Sequence, residues 1–102
     1  MKVEAAFIFI APETNFKEHR ACISTPVLNL TVVGVKNYEQ AVAVAKELCE
    51  NGVKAIELCA GFGMKGTALV SDAVATRAKV GAVRFDCHPG FEYQSGDDLF
   101  GN

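Results

Sequence analysis

Three patterns that identify common classes of protein are missing from this sequence. There is no run of lysine and arginine residues, and the formal net charge of the 102-residue chain is −2, so a nucleic-acid-binding surface is not expected. There is no long apolar stretch either: the N-terminal run from Ala5 to Ala11 stops at Pro12, whereas a membrane-spanning helix needs about 20 apolar residues. That run also lacks the layout of a signal peptide.

Paired cysteines are the third missing pattern. The four cysteines lie at positions 22, 49, 59 and 87, and no C-x-x-C pair occurs. Cys59, Cys87 and His88 could converge on a zinc ion, but their spacing is not that of a zinc site. We therefore expect no metal and no cofactor, and we predict a cytoplasmic protein with free thiols.

The length and composition predict one small domain. A chain of 102 residues, half of them apolar, fits a single domain over residues 1–102 with a buried core. A domain of this size buries a smaller share of its surface than a larger one does. Stabilisation by a partner subunit is therefore expected.

Strands and helices alternate along the chain. Apolar or β-branched runs predict strands at 4–11, 27–35, 53–59 and 80–86. Asn37 and Gln40 form a capping-box pattern before a helix that ends at Gly52. A second helix is predicted from Met64 to about Arg77, residues 13–25 could contain a short helix, and residues 87–102 are expected to be a C-terminal loop or tail.

This order predicts an α/β fold with a four-stranded, mostly parallel sheet. Crossovers between parallel strands are right-handed in nearly all cases. If the strands follow one another in sequence order, the helices lie mainly on one face, in a half-barrel-like or flavodoxin-like arrangement. The other face is then bare.

The bare face is predicted to carry both charged and apolar side chains. Strand periodicity places Glu57, Arg84 and Asp86 on it, and a Glu57–Arg84 pair is either a structural ion pair or part of a functional site. The apolar residues predicted for the same face need cover, which predicts a homo-oligomer. These residues are Phe7, Phe9, Leu30 and Val32.

A ligand of a parallel α/β sheet binds beyond the carboxyl ends of the strands. The residues at these ends that could bind a small metabolite, either neutral or anionic, are Glu13, Lys36, Cys59, Gly61, Gly63 and Arg84. Backbone amides of the loop GFGMKG could hold an anion, but the ordinary use of glycine in turns favours a tight strand-to-helix turn. The candidate catalytic residues are Glu57, Asp86 and His88, of which His88 could serve as a general acid or base or simply form a turn.

Two resemblances add expectations. The segment LCENGVKAIEL, residues 48–58, is similar to part of the barrel of keto-deoxy-phosphogluconate aldolases, which implies a proton-transfer role for Glu57; the Schiff-base lysine of those enzymes has no counterpart. More broadly, the blocks AFIFIAPE, LTVVGVKNYEQAV, GVKAIELCAGFG and VRFDCHPG resemble a family of small bacterial proteins of unknown function. This second resemblance covers nearly the whole chain and implies no activity.

Two functions follow from these patterns. One is an oligomeric protein that binds a small metabolite at the strand ends, with or without catalysis by Glu57, Asp86 and His88. The other is a non-catalytic structural or regulatory subunit whose open sheet face binds a protein. The sequence predicts no membrane or nucleic-acid partner for either.

Overall fold

The computed structural model describes residues 2–101. A five-stranded sheet has the order β2-β3-β1-β4-β5. The β2–β3 pair is antiparallel, and the other three pairs are parallel. The elements in chain order are β1 (Val3–Ile10), β2 (Arg20–Ser24), β3 (Leu28–Val35), α1 (Tyr38–Glu50), β4 (Ala55–Leu58), α2 (Met64–Val74), β5 (Lys79–Ala82), a 3-10 turn (Pro89–Phe91) and α3 (Gly96–Phe100).

The first strand is central because it pairs with both β3 and β4. Its even-numbered apolar residues Ala6, Ile8 and Ile10 are buried, whereas Phe7 and Phe9 on the opposite face are only half-buried. The buried side chains join those of α1 and α2 in one core cluster. Both long helices therefore cover the same face of the sheet, as predicted, and leave the other face open.

The topology explains why the helices share a face. The connection from β1 to β3 passes through the antiparallel strand β2 and contains no helix. Helix α1 then crosses over β1 to reach β4, and α2 continues in the same direction to β5. Two successive right-handed crossovers in one direction place their helices on one side. The strands therefore do not follow sequence order, yet the one-sided arrangement results.

The segment 13–25 differs from the prediction of a short helix. Residues 20–24 form β2, an edge strand that pairs with β3, and Arg20 bonds Glu47 of α1 at 3.0 Å. The alternation in this short strand places Ala21 and Ile23 on the open face and Arg20 on the helical face. Pairing with β3 overrides the helical propensity of this segment, so residues 16–19 form only a turn and Arg20 begins the strand.

The helix ends follow their sequence signals. The Asn37 side chain accepts the N–H of Gln40 at 2.8 Å, and the Gln40 side chain accepts the N–H of Lys36 at 3.1 Å. Gly52 after α1 has φ +93°, in the left-handed region where glycine is favoured. Helix α2 ends at Val74, before the predicted Arg77, and Ala75 follows it with φ 52° and ψ −118°.

The C-terminal part of the chain has more structure than the predicted loop. Strand β5 ends at Ala82 rather than at residue 86, so Arg84 and Asp86 lie beyond the sheet. After them, His88 and Gln94 form a short antiparallel bridge around the 3-10 turn. Helix α3 then returns the chain to α2. The last described residues thus fold back over the carboxyl ends of the strands.

Candidate functional site

The loop from β4 to α2 is closely packed at the carboxyl end of the sheet. The sulfur of Cys59 accepts hydrogen bonds from the N–H groups of Ile10 and Gly61, at 3.4 and 3.3 Å. Gly61 and Gly63 are buried. A Cβ at position 61 would lie against Ile10, Cys59 and Phe91, and one at 63 would overlap the Asp97 carboxylate. The glycines are needed for close approach of neighbouring groups rather than for an unusual backbone angle.

The N-terminus of α2 binds a carboxylate of the same chain. Gly63 is the N-cap residue and has no side chain to serve as a cap. Asp97 in α3 supplies the missing group: its Oδ2 accepts the N–H of Lys65 at 2.9 Å, and its Oδ1 accepts the N–H of Gly66 at 3.1 Å. The backbone amides that the sequence predicts to hold an anion are therefore bonded to Asp97.

Tyr38, the first residue of α1, connects this carboxylate to the loop. Its hydroxyl donates to Asp97 Oδ1 at 2.9 Å and accepts the N–H of Gly63 at 3.0 Å. Its ring stacks on Phe62 with centroids 5.6 Å apart and contacts Phe100 at 5.8 Å. We call Tyr38, Asp97 and the backbone of residues 63–66 the carboxylate cluster.

Electrostatics favour an ionised Asp97 and a neutral Tyr38. Partial burial alone would raise the pKa of Asp97, but the hydrogen bonds from Lys65, Tyr38 and Gly66 outweigh it, and the pKa lies below its ordinary value. Burial raises the pKa of Tyr38, the N–H of Gly63 opposes this, and the neighbouring Asp97 raises the pKa further. The hydroxyl therefore remains a proton donor to the carboxylate.

The predicted residues beyond β5 are held in local contacts. Arg84 pairs with Asp86 through Nε at 3.0 Å, and both side chains are about two thirds exposed, at 64% and 65%. The Nδ1 atom of His88 accepts the N–H of Gly90 at 2.9 Å. The imidazole lies between Phe85 and Phe91, with ring centroids 5.1 and 4.4 Å away. This arrangement matches the turn alternative for His88.

The other predicted residues are dispersed. Glu57 is exposed on the open face in the middle of β4, opposite Phe7 of β1 and Gly81 of β5. Among residues 2–101, the ion pairs are Arg20–Glu47 and Arg84–Asp86, so the expected Glu57–Arg84 pair does not form. The reason is that β5 ends before Arg84. The side chains of Glu13 and Lys36 are exposed near the ends of β1 and β3.

Sequence reasoning missed the carboxylate cluster. Ser95 and Asp98 form a capping box that starts α3, and this pattern could have revealed the helix. Nothing local indicates that Asp97 caps a helix more than 30 positions earlier, or that Tyr38 serves as more than a core aromatic residue. The contacts of Asp97 with Tyr38 and α2 form only because the C-terminal residues fold back over the carboxyl ends of the strands.

Two other accessible surfaces could bind a partner. The first, the open sheet face, is formed by the outward side chains of the five strands: Val3, Ala5, Phe7, Phe9, Ala21, Ile23, Leu28, Leu30, Val32, Ala55, Glu57 and Lys79. The second, the β5 groove, is a cavity of about 450 Å³ between α2 and β5, lined by Phe62, Gly63, Met64, Thr67, Ala68, Ser71, Val80, Ala82, Val83 and Arg84.

The three candidate catalytic side chains make no polar contact with one another through Glu57 within residues 2–101: no hydrogen bond or ion pair joins Glu57 to Asp86 or His88 in this part of the chain. No group of three or more His, Cys, Asp or Glu side chains there could hold a metal ion. The four cysteines are free thiols. None of the described helices combines the length and apolar character required to cross a bilayer.

Comparison with known proteins places the chain in a family. The profile of a family of unknown function, DUF6506, matches residues 3–98. The chain belongs to the DUF6506 family. The predicted resemblance to a family of unknown function is therefore confirmed, and the local likeness to aldolase barrels is not supported. No curated protein and no solved structure matches this DUF6506 chain.

Proposed function

We propose that this protein is a self-associating, non-catalytic subunit whose open sheet face packs against the same face of a second copy. The observation that carries the proposal is the apolar character of the sheet face that α1 and α2 leave uncovered. Phe7, Leu30 and Val32 occupy its middle and are only half-buried within one chain. A continuous apolar surface of this kind is typical of a protein interface.

The size of the open sheet face fits a small specific interface. Strands spaced about 4.8 Å apart, with a rise of about 3.3 Å per residue, give these five strands a projected face of roughly 450 Å². Side-chain relief increases the accessible area above the projected one. Two such faces bury an area near the lower end of the range for specific complexes, which starts at about 1,200 Å².

The charges on the open sheet face are compatible with self-packing. Glu57 and Lys79 are its charged side chains, they have opposite signs, and both are exposed. The face thus carries no net charge, and two copies can meet without net repulsion. The remaining members are aliphatic or aromatic, which is typical of the two inner faces of a β-sandwich.

The carboxylate cluster explains why a metabolite site at the strand ends is not part of this proposal. The amides that would bind an anion already bind Asp97. An external anion would have to displace Asp97 and with it the contacts of α3. The open sheet face needs no such rearrangement before it binds a partner.

Sedimentation velocity over a range of protein concentrations tests the proposal. The wild-type chain is expected to shift from monomer to dimer with increasing concentration. Phe7→Asp and Ile23→Asp each place a charge on the open sheet face and should weaken dimerisation at least about tenfold, since central interface residues often contribute 2 kcal/mol or more. Ile23 is 57% exposed, so its substitution should leave the monomer folded.

Val27→Asp is the matched control. Val27 is 70% exposed in the turn between β2 and β3 and lies outside the open sheet face. The Val27→Asp substitution should reduce the exposed apolar surface without changing the dissociation constant of the dimer. A wild-type chain that remains monomeric up to about 1 mM, which corresponds to an association free energy weaker than about −4 kcal/mol, would overturn the proposal.

A further inference from the structure

The outer edge of β5 has backbone groups available for a further strand. The N–H groups of Lys79 and Val83 donate to the carbonyls of Lys54 and Leu58, at 2.9 and 3.2 Å. In a parallel pair, alternate residues bond the neighbouring strand. The N–H and C=O groups of the residues between them, such as Ala82, therefore point away from β4, to the side where the sheet ends.

The β5 groove runs beside this edge. One wall is formed by Thr67, Ala68 and Ser71 of α2, and the other by Val80 and Ala82 of β5. At the end of the groove nearest the carboxyl end of β5, two further lining residues present exposed apolar side chains: Met64 is 61% exposed and Val83 is 52% exposed. An edge strand with a helix beside it can accept an extended peptide that bonds the strand and inserts alternate side chains into the groove.

Arg84 provides the charge at the same end of the groove. It is the charged residue among those that line the cavity. Its contact with Asp86 uses Nε, and within residues 2–101 its two Nη groups make no hydrogen bond. An ion pair as exposed as this one contributes little stability. The guanidinium can therefore form a two-point contact with a carboxylate of a partner.

We propose that the β5 groove binds an extended peptide of alternating apolar residues with an acidic residue beside Arg84. The peptide backbone would bond the outward groups of β5 and become a sixth strand. Antiparallel pairing, the slightly more stable kind, places the amino end of the peptide next to Arg84. The acidic residue is then expected at that end.

A second copy of β5 is a poorer occupant than an acidic peptide. Residues 77–84 contain Arg77, Lys79 and Arg84 and no acidic residue. Antiparallel pairing of two β5 strands about Gly81 would bring Arg84 of one copy near Lys79 of the other, twice. Like charges on paired strands destabilise the pair, whereas an acidic partner meets this cationic edge with the opposite charge.

Fluorescence anisotropy with the peptide Asp-Thr-Val-Thr-Val-Thr, acetylated at its amino end and labelled at its carboxyl end, tests the proposal, because its aspartate and valines share one face of the strand. Saturable binding is expected. A peptide with lysine in place of aspartate, and the chain variant Arg84→Glu, should each bind at least about tenfold more weakly, because both remove a charge-assisted contact. Lys17→Glu is the control for net charge, since Lys17 is exposed in the β1–β2 connection, and it should leave the dissociation constant unchanged.

A second pair of variants tests the strand pairing. Ala82→Pro removes an N–H that points outward on an edge strand, where proline is tolerated, and it should abolish peptide binding. Cys22→Pro makes the same change on β2, the other edge strand. The N–H of Gly34 bonds the carbonyl of His19. Because alternate residues of an antiparallel strand bond the neighbouring strand, the N–H of Cys22 points to the outer side. This control should fold and bind the peptide normally.

Hydrogen exchange separates strand addition from other binding. Bound peptide should slow exchange of the Val80 and Ala82 amides, and Ile23→Asp should not affect this because Ile23 lies on the open sheet face. The proposal is overturned if the aspartate and lysine peptides bind equally, if Ala82→Pro binds like the wild type while folded, or if the peptide does not bind below about 1 mM.

Discussion

Tyr38 and Asp97 are 59 positions apart in the sequence, and a hydrogen bond of 2.9 Å joins the Tyr38 hydroxyl to the Asp97 carboxylate. The same carboxylate caps α2 through two backbone amides. The first turn of α1, the first turn of α2 and the C-terminal helix α3 therefore meet at one side chain. Two of these helices cover the core, and the third is short, so its position depends on this contact.

Asp97→Asn is expected to destabilise the protein. The asparagine side chain has one acceptor oxygen in place of two and carries no charge. It therefore cannot replace all three hydrogen bonds that the carboxylate accepts from Lys65, Gly66 and Tyr38. Loss of a helix cap and of a charge-assisted bond should lower the free energy of unfolding by about 1–2 kcal/mol. Urea denaturation followed by circular dichroism measures this change.

The control for Asp97 is Asp72→Asn, because Asp72 is exposed near the end of α2. Surface changes of this kind usually alter stability by less than about 0.5 kcal/mol. Equal effects of the two substitutions would show that Asp97 is an ordinary surface residue. Tyr38→Phe should repeat part of the Asp97 effect, since it removes the hydroxyl and keeps the ring stacked on Phe62.

The contribution of Asp97 should depend on pH in a defined direction. Its pKa in the folded chain is below the ordinary value, so the folded state binds its proton less readily than the unfolded state. The stabilisation is complete above the unfolded pKa of about 4 and is lost as the pH falls through the folded pKa. The difference in unfolding free energy between wild type and Asp97→Asn should be constant near neutral pH and shrink below about pH 4.

The stabilisation contributed by Tyr38 should have the opposite pH dependence and decline at high pH. Its pKa is raised in the folded chain, so its stabilisation is complete below the unfolded tyrosine pKa of about 10 and declines above it. Denaturation between pH 8 and about pH 11 should show a steeper loss of stability for wild type than for Tyr38→Phe. Parallel curves would contradict the assignment of a buried, neutral hydroxyl.

Ala75→Gly is expected to stabilise the protein. Ala75 follows α2 with φ 52° and ψ −118°, a backbone conformation that is costly for alanine and open to glycine. Relief of this strain exceeds the added entropy of glycine in the unfolded chain, so unfolding should cost about 1 kcal/mol more. Thermal denaturation should show a higher midpoint.

Ala68→Gly is the control, because Ala68 is an exposed residue in the middle of α2. Glycine in a helix interior costs about 1 kcal/mol relative to alanine, so this variant should melt at a lower temperature. If both glycine variants lower the midpoint, Ala75 does not have the strained backbone described.

The amount of structure that the sequence predicts depends on the range of the contacts. The continuous apolar run around Phe7 and Ile8, the Asn37–Gln40 cap and the Gly52 stop are local signals, and each corresponds to the observed element. Strand β2 was not predicted because Ala21 and Ile23 form too short an alternation to outweigh the polar residues before them. This segment becomes an edge strand only by pairing with β3, which comes later in the chain.

The candidate site shows the same limit. The loop that contains Gly61 and Gly63 was predicted to hold an anion, and its helix does bind a carboxylate. The sequence could not assign that carboxylate to Asp97, because a contact across the fold leaves no periodic or spacing signal. The end of β5 was misplaced for a related reason: Arg84 continues the alternating pattern, but β4 ends at Leu58 and gives the strand no further neighbour.

The side-chain cap that α2 lacks is supplied by Asp97, more than 30 positions later in the chain. During synthesis, α2 emerges well before Asp97, so the helix first forms with its leading amides exposed to water. Residues that are synthesised later complete the cap of this helix. A protease that cuts between α2 and Asp97 and releases the later segment would therefore weaken α2, although every residue of that helix is still present.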